Sequence, residues 1–285
     1  MKITGLGFHD TYEQAAREIY LKPDFVSNPR GMEVKEKLGL HMEILNPSHN
    51  LFENKHRGVP LKYLANELVL YFAGKYNVSS LGDEASFGEA SSFWKKIAKE
   101  DGTVNSAYGY LLFKHQAYEQ QTQWDWIKNN LIADKDSRQA IAHINRPFHQ
   151  YDGNKDFVCT MSYHFFIREN KLHMHVHRRS QDMVFGITYD VPWELLLMQC
   201  MVKELKSHYP ELSLGSYNLF IGSAHIYQRD YDTIYKMLMN EFTPYRISIG
   251  SVNPIMHKEV NKMASDRNYK YKGGKNLFSF LSDNR

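Results

Sequence analysis

The chain has 285 residues, 42% of them hydrophobic and 14% aromatic, with a formal net charge of +3. That length allows one large domain or two small ones with a real core, and so mild a charge makes no case for nucleic-acid binding. The most apolar stretch, Val191 to Val202, is broken by Glu194 and Gln199, which argues against a membrane span; Met1 to Asp10 has no apolar signal-peptide centre.

Asp10 with Glu13 makes a capping-box pattern, and Tyr12, Ala15, Ala16, Ile19 and Tyr20 follow at helical spacing. Leu61 to Ala73 reads as a helix closed by Gly74, Ser91 to Asp101 as a third stopped by Gly102, and Ala117 to Ala133 as a fourth. Period two then takes over. Ala140, Ala142 and Ile144 mark a strand, and Phe157 to Arg168 and Leu172 to Arg179 two more, joined at Glu169-Asn170-Lys171. Pro192 opens a helix that runs to about Lys206. Tyr217 to Tyr227 is strand-like and Asp232 to Phe242 helical. With no repeat, low-complexity tract or linker, the expectation is a single α+β domain spanning residues 1–285, its strands gathered in the second half.

Two cysteines make no disulfide framework, and a reducing, cytoplasmic setting fits them. Both Cys159, in an apolar strand, and Cys200, among leucines and methionines, read by themselves as core residues. His173, His175 and His177 share one strand face, but a metal needs a further ligand from elsewhere and no matching motif is present. The face therefore reads as polar, turned to water or to a subunit interface, and no metal is expected. No phosphate loop, dinucleotide fingerprint or hydrolase elbow occurs. Arg178-Arg179-Ser180 is a better lead, since two guanidiniums beside a hydroxyl can hold a phosphate dianion. The basic stretch Lys258 to Lys275 reads as solvated surface.

Separated segments carry more together than alone. They are Asn66-Glu67-Leu68; Phe93-Trp94; Asn105 to Tyr108-Gly109; Asp136-Ser137-Arg138; Phe157-Val158-Cys159-Thr160; Arg179-Ser180-Gln181-Asp182 through Phe185-Gly186; Tyr189-Asp190-Val191-Pro192-Trp193; and Gly222-Ser223-Ala224-His225-Ile226-Tyr227. In this order the chain resembles the thymidylate synthase superfamily, and within it the deoxycytidylate hydroxymethylases.

The resemblance implies a thymidylate synthase-like fold, a mixed β-sheet with packed helices. It implies Cys159 as nucleophile, with Glu67, Tyr108 and Asp190 serving the base. Arg179 and Ser180, Arg30, and an Arg138 that crosses a homodimer would hold the phosphate of a pyrimidine nucleoside monophosphate. His225 and Tyr227 would hold its sugar. Trp94, Asp182 and Gly186 would line the side taken by 5,10-methylenetetrahydrofolate, the co-substrate. On local sequence alone Asp190 reads equally as a cap for the helix that Pro192 opens; the resemblance, with Asp190 where a uracil site carries asparagine, implies cytosine, because a carboxylate accepts from the exocyclic amine. There are departures: Thr160 follows the nucleophile in place of histidine, Gln139 replaces a second arginine, Ile97 replaces a large aromatic, and no closing segment is recognisable in Ser279 to Arg285. The function implied is hydroxymethylation of deoxycytidylate. The alternatives are a uridylate hydroxymethylase, a reductive methylase, and a non-catalytic nucleotide- or nucleic-acid-binding protein, against which the pairing of Cys159 with Glu67 argues.

Overall fold

The computed structural model describes residues 1–77, 90–266 and 268–285, and its backbone contacts separate two units. One comprises Met1–Val59 and Cys159–Ile247, the other Pro60–Val158 and Ser248–Arg285. The side chain of Phe93, and Arg267 in the basic stretch, lie outside the described residues.

The first unit opens with β1 (Lys2–Gly5) and α1 (Phe8–Leu21). Tyr12, Ala15, Ala16 and Ile19 are buried as their spacing indicates. The helix begins upstream of Asp10, however, at the cap residue Gly7. Asp10 sits inside the first turn and accepts from the Leu6 amide through Oδ2 at 2.9 Å. Then come β2 (Phe25–Ser27), β3 (Val34–Ile44) and β4 (Leu51–Glu53), so strands are not confined to the second half. The run Lys35-Glu36-Lys37 hides the alternation of β3, whose Leu40, Met42 and Ile44 are each only 1% exposed.

The second unit begins with α2 (Leu61–Phe72), which ends at Gly74 in the left-handed region, φ 61°. Next are α3 (Ala90–Ile97), α4 (Tyr108–Phe113), β5 (Gln116–Tyr118), β6 (Gln121–Thr122), α5 (Gln123–Ala133) and β7 (Ile141–His143). The helix expected from Ala117 is thus shorter. Glu119 and Gln120 turn the chain at positive φ, and Thr122 with Asp125 forms the capping box that starts α5. α3 likewise stops at Ile97, short of Asp101, whose Oδ1 accepts from the Thr103 amide in a turn.

The chain returns to the first unit with β8 (Thr160–Arg168), β9 (Lys171–Asp182), α6 (Ile187–Leu205), β10 (Ser213–Tyr227), α7 (Tyr231–Leu238) and β11 (Thr243–Tyr245). Its mixed sheet runs β1-β3-β10-β9-β8, with β2 beside β3, while β11 pairs with β4. β9 is parallel to β10 and antiparallel to β8. The β8–β9 turn uses Glu169 and Asn170 at φ 50° and 57°, the backbone a tight hairpin needs. α6 starts at Ile187 and contains Pro192 in its interior, so proline does not open it. In the second unit α8 (Lys258–Ser265) and α9 (Leu277–Asp283) pack on α2. The segment in which no closing motif is legible is therefore a folded helix, with Arg285 Nε donating to Asn66 Oδ1 at 3.3 Å. Among the described residues no helix is long and apolar enough to cross a membrane.

One face of β9 carries Leu172, Met174 and Val176 into the core; the other carries His173, His175 and His177. His177 and, from β3, His41 stack on the Phe220 ring at 4.8 and 4.3 Å, and His175 meets it edge-on at 5.6 Å. No group of His, Cys, Asp or Glu among the described residues is arranged to hold a metal. Burial, reinforced by His164, His177, His173 and His41, lowers the His175 pKa to about 4. An unfolded histidine protonates near its usual 6.5, so between pH 6.5 and 4 the unfolded chain binds more protons. Stability held above that window should fall as the pH drops through it. Denaturant midpoints measured at pH 7 and pH 4.5 should converge for His175→Gln relative to the parent. Parallel acid losses in the two proteins would contradict this.

Candidate active site

In the first unit Cys159 immediately precedes β8 and is half-buried. Its carbonyl accepts from the Arg179 amide at 3.0 Å, which ties it to the adjacent strand β9. Its Sγ lies 3.4 Å from Arg179 Nη2 and 3.8 Å from Ser180 Oγ, and Arg179 Nη1 also donates to Ser180 Oγ at 3.1 Å. The thiol, a guanidinium and a hydroxyl thus form one half-exposed cluster with a cation against sulfur. Cys200 is its opposite. It is fully buried in α6, and burial pushes its thiol pKa well up.

Arg178 and Arg179 do not act together. Successive strand residues point to opposite faces. Arg179 is exposed beside Cys159, whereas the Arg178 side chain has no exposed surface. Arg178 is therefore not part of the anion cluster that its adjacency to Arg179 suggested. Its Nη1 donates to Asp190 Oδ2 at 2.8 Å and to Gln181 Oε1, and its Nη2 to Glu194 Oε1. Glu194 Oε2 accepts from Tyr217 Oη. Burial raises the Glu194 carboxyl pKa, with Arg178 opposing, and raises Tyr217 well above the usual phenol range. Sequence reasoning gave Arg178 a different role, in an anion cluster, and missed Glu194 and Tyr217 as site residues.

Asp190 lies in the first turn of α6, its amide donating to Gly186 O at 3.0 Å, so it is no helix cap. Gln181 Nε2 donates to the same Asp190 Oδ2 at 3.2 Å. Gly186 makes this approach possible, because a Cβ there would lie 2.8 Å from Gln181 Nε2. Asp182 Oδ1 accepts from the Val184 and Phe185 amides at 2.7 and 3.1 Å, shaping the turn into α6. Arg57, another residue missed in the sequence, donates to Val184 O at 3.2 Å and stacks on the Phe185 ring at 4.3 Å. The parallel β9–β10 register sets Ser180 opposite Ser223 and Asp182 opposite His225. Burial lowers the His225 pKa, and its ring meets that of Tyr227 edge-on at 5.0 Å. Arg30 lies on an exposed turn at φ 55°, and among the described residues no hydrogen bond ties it to Cys159.

In the second unit Glu67 is 6% exposed on α2, and its Oε1 accepts from Tyr71 Oη one turn on at 3.2 Å. The Tyr71 ring meets Tyr108 at 5.4 Å. Gly109 permits that contact, since a Cβ there would overlap the Tyr71 carbonyl. Asn105 and Ser106 hold the loop before α4 to Asp156, whose carboxyl burial raises in pKa. Trp94 is 2% exposed, so α3 turns it inward. Arg138 is exposed at the turn after α5.

A family model described as thymidylate synthase matches residues 10–272. The chain belongs to the thymidylate synthase family. Deoxycytidylate 5-hydroxymethyltransferase of Enterobacteria phage T6 is 31% identical over 176 residues, covering 60% of this chain and 68% of the relative. Thymidylate synthase 1 of Bacillus spizizenii is 28% identical over 144 residues, 50% of each chain. A solved thermostable thymidylate synthase A from Bacillus subtilis matches with a TM-score of 0.63 at 21% identity, over 84% of this chain and 86% of that one. The fold is thus the α+β thymidylate synthase fold, as the motif order implies, and the protein is a transferase of that family.

For this thymidylate synthase-family protein the two thiols differ enough to be told apart chemically. Iodoacetamide on the native enzyme should alkylate Cys159 and spare Cys200, read as peptide masses. Equal labelling of both would contradict the assignment.

Proposed function

We propose that the enzyme adds a one-carbon unit to C5 of deoxycytidylate and releases the product as the 5-hydroxymethyl nucleotide, working as a homodimer of single catalytic domains. The observation that carries the reading is Asp190: a carboxylate anchored through Oδ2, with Oδ1 left to accept from the N4 amine of cytosine. The similarity to the phage deoxycytidylate 5-hydroxymethyltransferases supports it.

The pyrimidine ring is too electron-poor at C5 to attack carbon. Cys159 Sγ adds to C6, and the displaced electron pair makes C5 nucleophilic. Methylenetetrahydrofolate, the co-substrate, supplies the one-carbon unit. Asp182, whose Oδ1 accepts from two amides and whose Oδ2 lies 3.8 Å from Arg229 Nη2, would meet the donors of its pterin ring, with Gly186 and Trp94 as the other folate-side residues. Tyr108 takes the C5 proton by way of water, the bond from the one-carbon unit to folate nitrogen breaks to release tetrahydrofolate and leave an exocyclic methylene, and Glu67 organises the water that adds to it. Loss of Cys159 from C6 then restores the ring. Arg179, Ser180, Arg30 and the partner subunit's copy of Arg138 bind phosphate, and His225 with Tyr227 binds the sugar.

A reductive methylase is the second reading, favoured by the Bacillus thymidylate synthases among the relatives. The two are separated by supplying deoxycytidylate or deoxyuridylate with methylenetetrahydrofolate. Hydroxymethylation consumes water and leaves tetrahydrofolate, whereas methylation oxidises the folate to dihydrofolate, which absorbs differently. The expected result is hydroxymethyldeoxycytidylate with no dihydrofolate, and an Asp190→Asn variant that shifts toward deoxyuridylate. Stoichiometric dihydrofolate would establish the methylase instead.

A further inference from the structure

The reading of Asp190 as the base contact leaves unexplained why a fully buried arginine stands behind it. Apolar side chains of similar volume hold a fold as well as a buried ion pair does, or better, so packing alone does not call for Arg178. The bonding pattern gives it a more particular task. Arg178 Nη1 and Gln181 Nε2 both donate to Asp190 Oδ2, and among the described residues no hydrogen bond reaches Oδ1. The Asp190 side chain keeps 19% of its surface exposed, whereas those of Arg178 and Glu194 keep none. Arg178 is itself immobilised, because Nη2 is held by Glu194 Oε1, and Glu194 Oε2 is held by Tyr217 Oη. The chain from β10 through α6 and β9 back to Asp190 therefore ends in one carboxylate oxygen of fixed direction.

We propose that Arg178, backed by Glu194 and Tyr217, is the positioning group that locks Asp190 as an acceptor-only reader, and so sets the preference for amino- over oxo-pyrimidine nucleotides. The proposal rests on the reading above that Asp190 faces the base. An unanchored aspartate turns about its Cα–Cβ bond and can leave the base to water. Held by two donors at Oδ2, it presents Oδ1 alone. An N4 amine satisfies that oxygen, whereas an O4 carbonyl sets oxygen against oxygen and leaves both unpaired, which is the strongest kind of discrimination a binding site makes. Arg178 touches neither base nor reacting atom; it acts through Asp190.

The test compares kcat/KM for deoxycytidylate and deoxyuridylate in the parent, Asp190→Asn, Arg178→Lys, and the double variant Arg178→Met with Glu194→Gln. The double variant removes both charges of the buried pair, so neither is left alone in the core. Loss of fold or stability lowers both nucleotides by a common factor and leaves their ratio untouched, whereas loss of positioning moves the ratio. The ratio should fall about tenfold or more in the double variant, through a rise in KM for deoxycytidylate. It should fall by less in Arg178→Lys, whose single ammonium cannot fork between two carboxylates. A ratio within about twofold of the parent in a double variant with the parent's circular dichroism would overturn the positioning role. Should the double variant not fold, an unchanged ratio in Arg178→Lys would overturn it. Cytosine preference that survives these changes but is lost in Asp190→Asn sinks this proposal alone. A parent enzyme that prefers deoxyuridylate sinks it together with the reading of the base.

Discussion

A guanidinium with no exposed surface has to find partners for its donors inside the protein, and the first unit is arranged around that requirement. Arg178 on β9 is bonded to Gln181 on the same strand and to Asp190 and Glu194, both on α6; Tyr217 on β10 closes the far side. Removing one member of such a buried pair typically costs about 3–5 kcal/mol, because the other charge is left unpaired. The position of α6 over the sheet is therefore held by charge as well as by the leucines and methionines along it. Gly186 belongs to the same constraint, since any side chain there would push Gln181 away from Asp190.

Strand alternation then divides two adjacent arginines between two tasks. With Arg178 turned inward, Arg179 must turn outward, where its guanidinium reaches Cys159 Sγ and Ser180 Oγ. The Cys159 carbonyl is bonded to the Arg179 amide, so the pairing of β8 with β9 brings the sulfur and the cation together. β10 lies parallel to β9 and brings Ser223 and His225 alongside Ser180 and Asp182. A thiol beside a guanidinium and a hydroxyl, and a half-buried histidine, are thus consequences of sheet register, with the Asp190 carboxylate held from behind by Arg178.

The class of the fold and most second-half elements were legible because their periodicity is local. The β8–β9 hairpin is written in Glu169-Asn170, and α2 in its apolar run and closing glycine. What was not legible depends on distant partners. Lys37 reads as a surface charge but is 8% exposed on β3, paired with Asp24 at 3.1 Å. Pro192 looks like the start of a helix, yet the turn shaped by Asp182 starts α6 a turn earlier. Arg178 and Arg179 are indistinguishable as letters, and only burial separates them. For the site, motif order pointed to Cys159, Arg179, Ser180 and Asp190 in one unit and to Glu67 and Tyr108 in the other. It could not point to Glu194 and Tyr217, whose roles exist only once α6 and β10 are folded against β9.

The proposed reaction requires Cys159 to form a bond to a cytosine ring whose amine is read by Asp190. Trapping that bond tests it most directly. With 5-fluorodeoxycytidylate and methylenetetrahydrofolate, C5 has no proton to lose, so the reaction should stop with nucleotide and folate attached to the enzyme. Peptide mass spectrometry should find both on the fragment containing Cys159, formed faster than with 5-fluorodeoxyuridylate. An unmodified Cys159, or an adduct at Cys200, would contradict the account.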